Sequence, residues 1–148
     1  MQWLLENGAD VNAKTNENLT ALDFACEPAT VGAILTAKPE LELNRWYGSP
    51  LQRAAEKFAN EVDEAVRKKW GVIVKLLREA GASYDLISAI YLNDLVQVRK
   101  ILAVDPDAGR MYRPKYPLRV AAEYGRLDIC KELLKIPDID GFIRTNQK

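Results

Sequence analysis

Histidine is absent from this 148-residue chain, which removes Ser-His-Asp and Cys-His nucleophiles and every histidine-bearing metal site together. Only carboxylate, lysine or tyrosine chemistry remains for an enzyme. Cysteine is scarce: Cys26 and Cys130 stand 104 residues apart at apolar helix positions, so they form neither a zinc pair nor a redox motif. The pattern predicts two buried thiols and no disulfide. No apolar run approaches the roughly eighteen residues that span a bilayer, and no basic start leads into an apolar block. The expectation is a cytoplasmic protein without membrane contact. Net charge is also missing, 21 basic residues against 21 acidic, so no global field draws nucleic acid to the chain. Neither G-x-G-x-x-G nor G-K-[ST] occurs, and no nucleotide, metal or other cofactor is expected.

What is present is repetition. The stretch Asn7 to Leu22, NGADVNAKTNENLTAL, joins a Gly-Ala-Asp helix exit to a Thr-Ala-Leu start, and both return downstream in degraded form. Leu22, Leu51, Leu86 and Leu118 mark the starts at spacings of 29, 35 and 32 residues. After three of them a second apolar helix pattern follows: Ile73, Val74, Leu76 and Leu77; Leu95, Val98, Ile101 and Leu102; Leu127, Ile129, Cys130, Leu133 and Leu134. Each unit is therefore a helix pair with a period near 33 residues. Two short helices cannot bury their apolar faces alone, so small residues such as Ala25, Ala54, Ala55, Ala89, Ala121 and Ala122 let neighbouring pairs approach and share a core. Gly8, Gly81 and Gly125 fall where a helix ends or turns, and Pro50 and Pro117 suit a first helical turn. The length and a 48% hydrophobic, 28% charged composition fit one compact soluble domain.

In these residues the chain resembles the ankyrin repeat family. The matches are Ser49-Pro50-Leu51 with Ala54-Ala55, Pro117-Leu118 with Ala121-Ala122, Gly125 with Leu133-Leu134, and the exits Gly8-Ala9-Asp10 and Gly81-Ala82. The resemblance implies an all-α, ankyrin-type helix-pair solenoid with short hairpin loops over residues 1–148. Its units run at about 15–44, 45–82, 83–110 and 111–143, after a partial unit at 1–14. Leu51 to Gly81 takes thirty residues where the family uses about nineteen. That unit is lengthened or carries an insert near Phe58 to Trp70. Only five residues separate Gly81 from Leu86, against fourteen from Gly8 to Leu22, so one hairpin is shortened. The Leu22 unit is short as well, with Pro28 in its inter-helix turn.

Function follows from the resemblance as an expectation: a non-catalytic module that binds another protein through hairpin tips and the concave first-helix face. The tip positions are Arg45, Trp46 and Tyr47 before Leu51, and Tyr112, Arg113 and Lys115 before Leu118. First-helix positions are Glu56 and Lys57, Tyr91 and Leu92, and Glu123 and Tyr124. Aromatic residues and arginine dominate binding hot spots because they bury a large area at modest entropic cost. Trp46 is either a contact residue or a lid packed on Phe58 or Trp70. The basic run Arg110, Arg113, Lys115 and Arg119, with Tyr112 and Tyr116 interleaved, reads as an acidic-surface site or as a solvated hairpin tip.

The alternative function is a small helical enzyme or regulator using Glu56, Glu61, Asp63 and Glu64 of the lengthened unit. Against it, Asp63 with Arg67 and Glu64 with Lys68 have the spacing of an exposed helix face laced by ion pairs, each worth about 0.2 to 0.5 kcal/mol. At the start of the chain, Trp3, Leu4 and Leu5 lie on a helix face that a preceding helix would cover. Exposing such side chains forfeits about 1.5 to 3 kcal/mol each. A longer array, self-association through this edge and a tolerated missing cap are all open. At the other end Ile136 to Ile143 stop the last helix and cap it, and Arg144 to Lys148 are expected to be mobile.

Overall fold

The computed structural model describes residues 7–39, 48–110, 116–137 and 139. Among them there is α-helix, one 3-10 turn and no strand. The chain divides into two compact units, residues 1–83 and 84–148. The first holds α1 (Ala21–Phe24), α2 (Pro28–Thr36), α3 (Pro50–Asn60) and α4 (Glu64–Glu79). The second holds α5 (Leu86–Tyr91), α6 (Leu95–Val104), a 3-10 turn at Pro106–Arg110, α7 (Pro117–Glu123) and α8 (Leu127–Leu133). The helices pair off in order, as the leucine spacing predicts.

The first unit opens with the finger that precedes α1. Thr15 N–H donates to the Leu19 carbonyl at 2.9 Å, Asn18 takes a φ of 64°, and the Asp10 carboxylate accepts from Asn12 N–H at 2.8 Å. α1 is a single turn, held because the Asp23 carboxylate reaches back to Thr20 N–H at 2.8 Å and to its hydroxyl at 3.0 Å. Pro28 does not sit inside the inter-helix turn. It is the first residue of α2, where its missing amide hydrogen costs nothing.

The thirty residues from Leu51 to Gly81 are absorbed by longer helices rather than by a separate insert. α3 has 11 residues and α4 has 16, joined by Glu61 to Asp63. Ser49 caps α3 by accepting from Gln52 N–H at 3.2 Å. Asp63 caps α4 by accepting from Ala65 and Val66 N–H at 2.9 and 3.0 Å. We expect Asp63→Ala to cost about 1 kcal/mol through loss of this cap, read as a lower urea midpoint; an unchanged midpoint would show that the cap carries no stability. α4 packs on both α2 and α3. Val31, Ile34, Leu51, Ala55, Ile73 and Leu77 close the core beneath it. At its end Gly81 turns left-handed with φ 93°, and Ala82 N–H bonds back to the Leu77 carbonyl at 3.0 Å.

In the second unit the repeat is written in hydrogen bonds. At the α5–α6 turn Asp94 N–H reaches the Ala89 carbonyl at 2.9 Å around Asn93, whose φ is 56°. At the α7–α8 turn Arg126 N–H reaches the Ala121 carbonyl at 2.7 Å around Gly125, whose φ is 64°. The two turns lie 32 residues apart, the same interval as Leu86 and Leu118. Asparagine stands in for glycine at the first because its short polar side chain tolerates the left-handed region. α5 packs on α7 and α6 on α8, burying Ile90, Val98, Val120, Ala121, Ile129 and Leu133. The 3-10 turn packs on α6. There Gly109 is required, since a side chain at that position would collide with Ile136 Cδ1.

Three expectations about burial are corrected. Cys26 is exposed and Cys130 half-buried, both as free thiols. Ala122 faces solvent while Ala121 is fully buried. Leu134 is 56% exposed while Leu133 is 0% exposed. In each case the residue carries the right chemistry, but the helix rotation set by its neighbours points it elsewhere.

Candidate functional site

The expected tip residues Arg45, Trp46, Tyr47, Tyr112, Arg113 and Lys115 lie outside the described residues, as do Trp3, Leu4 and Leu5 at the first edge and Arg144 to Lys148 at the last. Lys57, Tyr91 and Tyr124 are described, and they part company.

Tyr91 is not a surface residue. It is 1% exposed, which corrects its assignment to the exposed first-helix face. α5 and α7 lie side by side, so the end of α5 is roofed by the end of α7. The Tyr124 ring meets the Tyr91 ring edge-on, at 4.9 Å between centroids and 80° between planes. Arg126 Nη2 donates to the Tyr91 carbonyl at 2.9 Å. Tyr124 is the half-buried cover of this packing and presents only its outer part to a partner.

Lys57 is exposed and stands at the mouth of a cleft in the first unit. The cleft is walled by Pro50, Arg53, Ala54 and Lys57, which are spaced to share one face of α3. Trp70, Ile73 and Leu77 of α4 form a second wall, and Leu22, Asp23, Ala25 and Val31 close the end. Arg53 and Lys57 follow one another by one helical turn, and neither side chain makes an ion pair with a described residue. Asp23 is committed to Thr20. Glu27 and Lys69, which flank the cleft in sequence, satisfy each other at 2.8 Å. The enclosed volume is about 50 Å³. That is about a third of the roughly 150 Å³ cavity needed to admit benzene, so one short aliphatic side chain fits and a ring does not.

The second unit carries an open groove between α6, α8 and the 3-10 turn, lined by Leu102, Pro106 and Ile136 with Arg99, Arg110, Glu132 and Lys135. Its charges are already spent. Glu132 accepts from Lys135 Nζ at 3.0 Å and from Arg99 Nε at 3.1 Å, and the two cations hold its carboxyl below the usual carboxylate range. Arg110 is tied to Asp107 and to the Pro137 carbonyl, each at 2.8 Å. The first cleft, with uncommitted cations, is the better binding site.

The carboxylates of the lengthened unit are structural. Asp63 is the cap of α4, Glu61 accepts from Asp63 N–H at 3.0 Å, and Glu64 pairs with Arg67 and, at 3.7 Å, with Lys68. Arg67 therefore pairs with Glu64, not with Asp63 as its spacing suggested, because a carboxylate turned back onto the first helical amides cannot also reach a side chain one turn along. Among the described residues no three acidic or cysteine side chains gather closely enough to hold a metal ion, and no helix is long and apolar enough to cross a membrane.

Arg53 and Trp70 were not singled out by the sequence. The signal for Arg53 was its four-residue spacing from Lys57; nothing local announced Trp70, which enters the cleft only because α4 packs along α3.

No protein-family model matches the sequence, and no curated protein matches it. Among solved structures, the ankyrin repeat domain of human ASB11 matches 92% of this chain with a TM-score of 0.53 at 22% identity. This chain spans 62% of the length of that domain. Helix pairs that recur at the same interval, end in the same left-handed turn and align with that domain give one conclusion: the chain has the ankyrin repeat fold.

Proposed function

We propose that this chain is a non-catalytic protein-interaction module that grips a partner with its hairpin tips and its first-helix face. The observation that carries the reading is the α1–α3–α4 cleft, where Arg53 and Lys57 stand without ion partners over an apolar floor. A folded chain has little reason to hold two like charges one turn apart, since they repel; a partner supplies the reason. The same cleft speaks against catalysis, because an active site needs converging titratable groups in a concavity that fits a substrate. Here the carboxylates are consumed by caps and ion pairs. Trp46, Tyr47 and Tyr112 supply the aromatic anchors expected of an interface core, with Arg45, Arg113 and Lys115 around them and Tyr124 beside them.

The test is capture of a partner on the immobilised chain, repeated with Trp46→Ala, Tyr112→Ala and Lys57→Glu. Each variant should melt as the native chain does, and the same captured protein should be lost or weakened about tenfold in all three. Retention of that protein by every variant would remove this surface from the binding role.

A further inference from the structure

We propose that the α1–α3–α4 cleft docks an acidic, extended segment of a partner protein, two of its carboxylates on Arg53 and Lys57 and one short aliphatic side chain between Trp70 and Ile73. The inference rests on the interaction reading above and names the chemistry of the partner. Three observations converge on it. First, the charge at the cleft is unbalanced: Arg53 and Lys57 lack ion partners, Asp23 is held by Thr20, and Glu27 with Lys69 cancel. An incoming carboxylate relieves the repulsion between the two cations, and arginine offers it a bidentate fork. Second, the spacing fits. Side chains one helical turn apart have Cβ atoms about 5 to 6 Å apart, and alternate residues of an extended strand, which share a face, rise by about 6.6 Å. A glutamate-x-glutamate segment therefore presents both carboxylates to α3 in one register. Third, the enclosed volume of about 50 Å³ beneath them is walled by Leu22, Val31, Ile73 and Leu77 and takes a valine-sized side chain two residues further along the same strand face.

The test uses the full chain and an extended peptide of the pattern glutamate-serine-glutamate-serine-valine, followed by amide and indole chemical shifts in an NMR titration. We expect shifts centred on Arg53, Lys57 and the Trp70 indole. Affinity should fall about tenfold in the double variant Arg53→Ala/Lys57→Ala and for a peptide with glutamine in place of glutamate, with Arg53→Lys intermediate. Lys57→Gln, an exposed single change, repeats the measurement with a smaller loss should the double variant unfold. Equal binding of the glutamine peptide, unchanged affinity in a folded double variant, or shifts confined to another surface would overturn the proposal. So would single-stranded polyuridylate that shifts the same residues as tightly, which would make the cleft a polyanion site. Should the acidic peptide fail while the captured partner still depends on Trp46 and Tyr112, the acidic-segment inference falls and the interaction module stands; should both fail, neither survives.

Discussion

Replacing Tyr91 with alanine is expected to lower the unfolding free energy by about 3 to 5 kcal/mol, the range for removing a large aromatic side chain from a packed core. Tyr91 is 1% exposed and carries the Tyr124 ring edge-on at 4.9 Å. Truncation therefore removes the ring's own buried area and a favourable aromatic pair, and it leaves a void that α5 and α7 cannot close without sliding along each other. Urea unfolding followed by circular dichroism measures this. A loss within about 0.5 kcal/mol, the scale of an ordinary surface substitution, would return Tyr91 to the partner-facing surface and undo the packing described for the second unit. Tyr124→Ala should cost less, because that ring is half-buried and only its inner edge is engaged.

The adjacent leucines of α8 provide the second large effect. Leu133→Ala should cost about 2 to 5 kcal/mol, whereas Leu134→Ala should stay within about 0.5 kcal/mol. The contrast follows from exposure, 0% for Leu133 and 56% for Leu134. Leu133 lies against the core closed by Gly109 and Ile136, and a Cβ placed on Gly109 would stand 3.5 Å from its side chain. Leu134 is the helix cap residue on the outer side. Thermal melts of the two variants, run side by side, decide the matter. Equal losses would mean that α8 is rotated from the orientation described, with both leucines sharing the burial.

These two pairs also mark how far local pattern carried. The leucine intervals and the second apolar stretches located the helix pairs, and Gly81 and Gly125 located turns that are left-handed as expected. Thr20, Ser49 and Asp63 were readable as caps from their residue types, although the sequence reading put Asp63 to other use. Asn93 was missed because asparagine is a weaker signal than glycine for the same conformation. The thirty residues from Leu51 to Gly81 left longer helices and an insert equally open. Helix length is settled by how much of α4 finds cover on α2 and α3, a contact between segments distant in sequence.

The candidate site was less legible. Lys57 was named and Arg53 was not, although the two form one unit on α3. Trp70 gave no local sign of its role, because a tryptophan within a helix is equally consistent with core, surface and groove. Tyr91 was placed on the wrong side for the same reason: the face of a single helix defines only which residues lie together, not which of them a neighbouring repeat will cover.

The amino-acid sequence by itself determined the helices, their pairing, the near-33-residue interval and the turns that close each pair, since all of these follow from side-chain chemistry within a few residues of chain. It also excluded histidine chemistry outright. The tertiary structure alone decided which of Leu133 and Leu134, Ala121 and Ala122, or Tyr91 and Lys57 meets solvent, and which three side chains meet at one cleft. Exposure is set by a helix that arrives from elsewhere in the chain, and a pattern that repeats along one helix has no means of stating the angle at which its neighbour will pack.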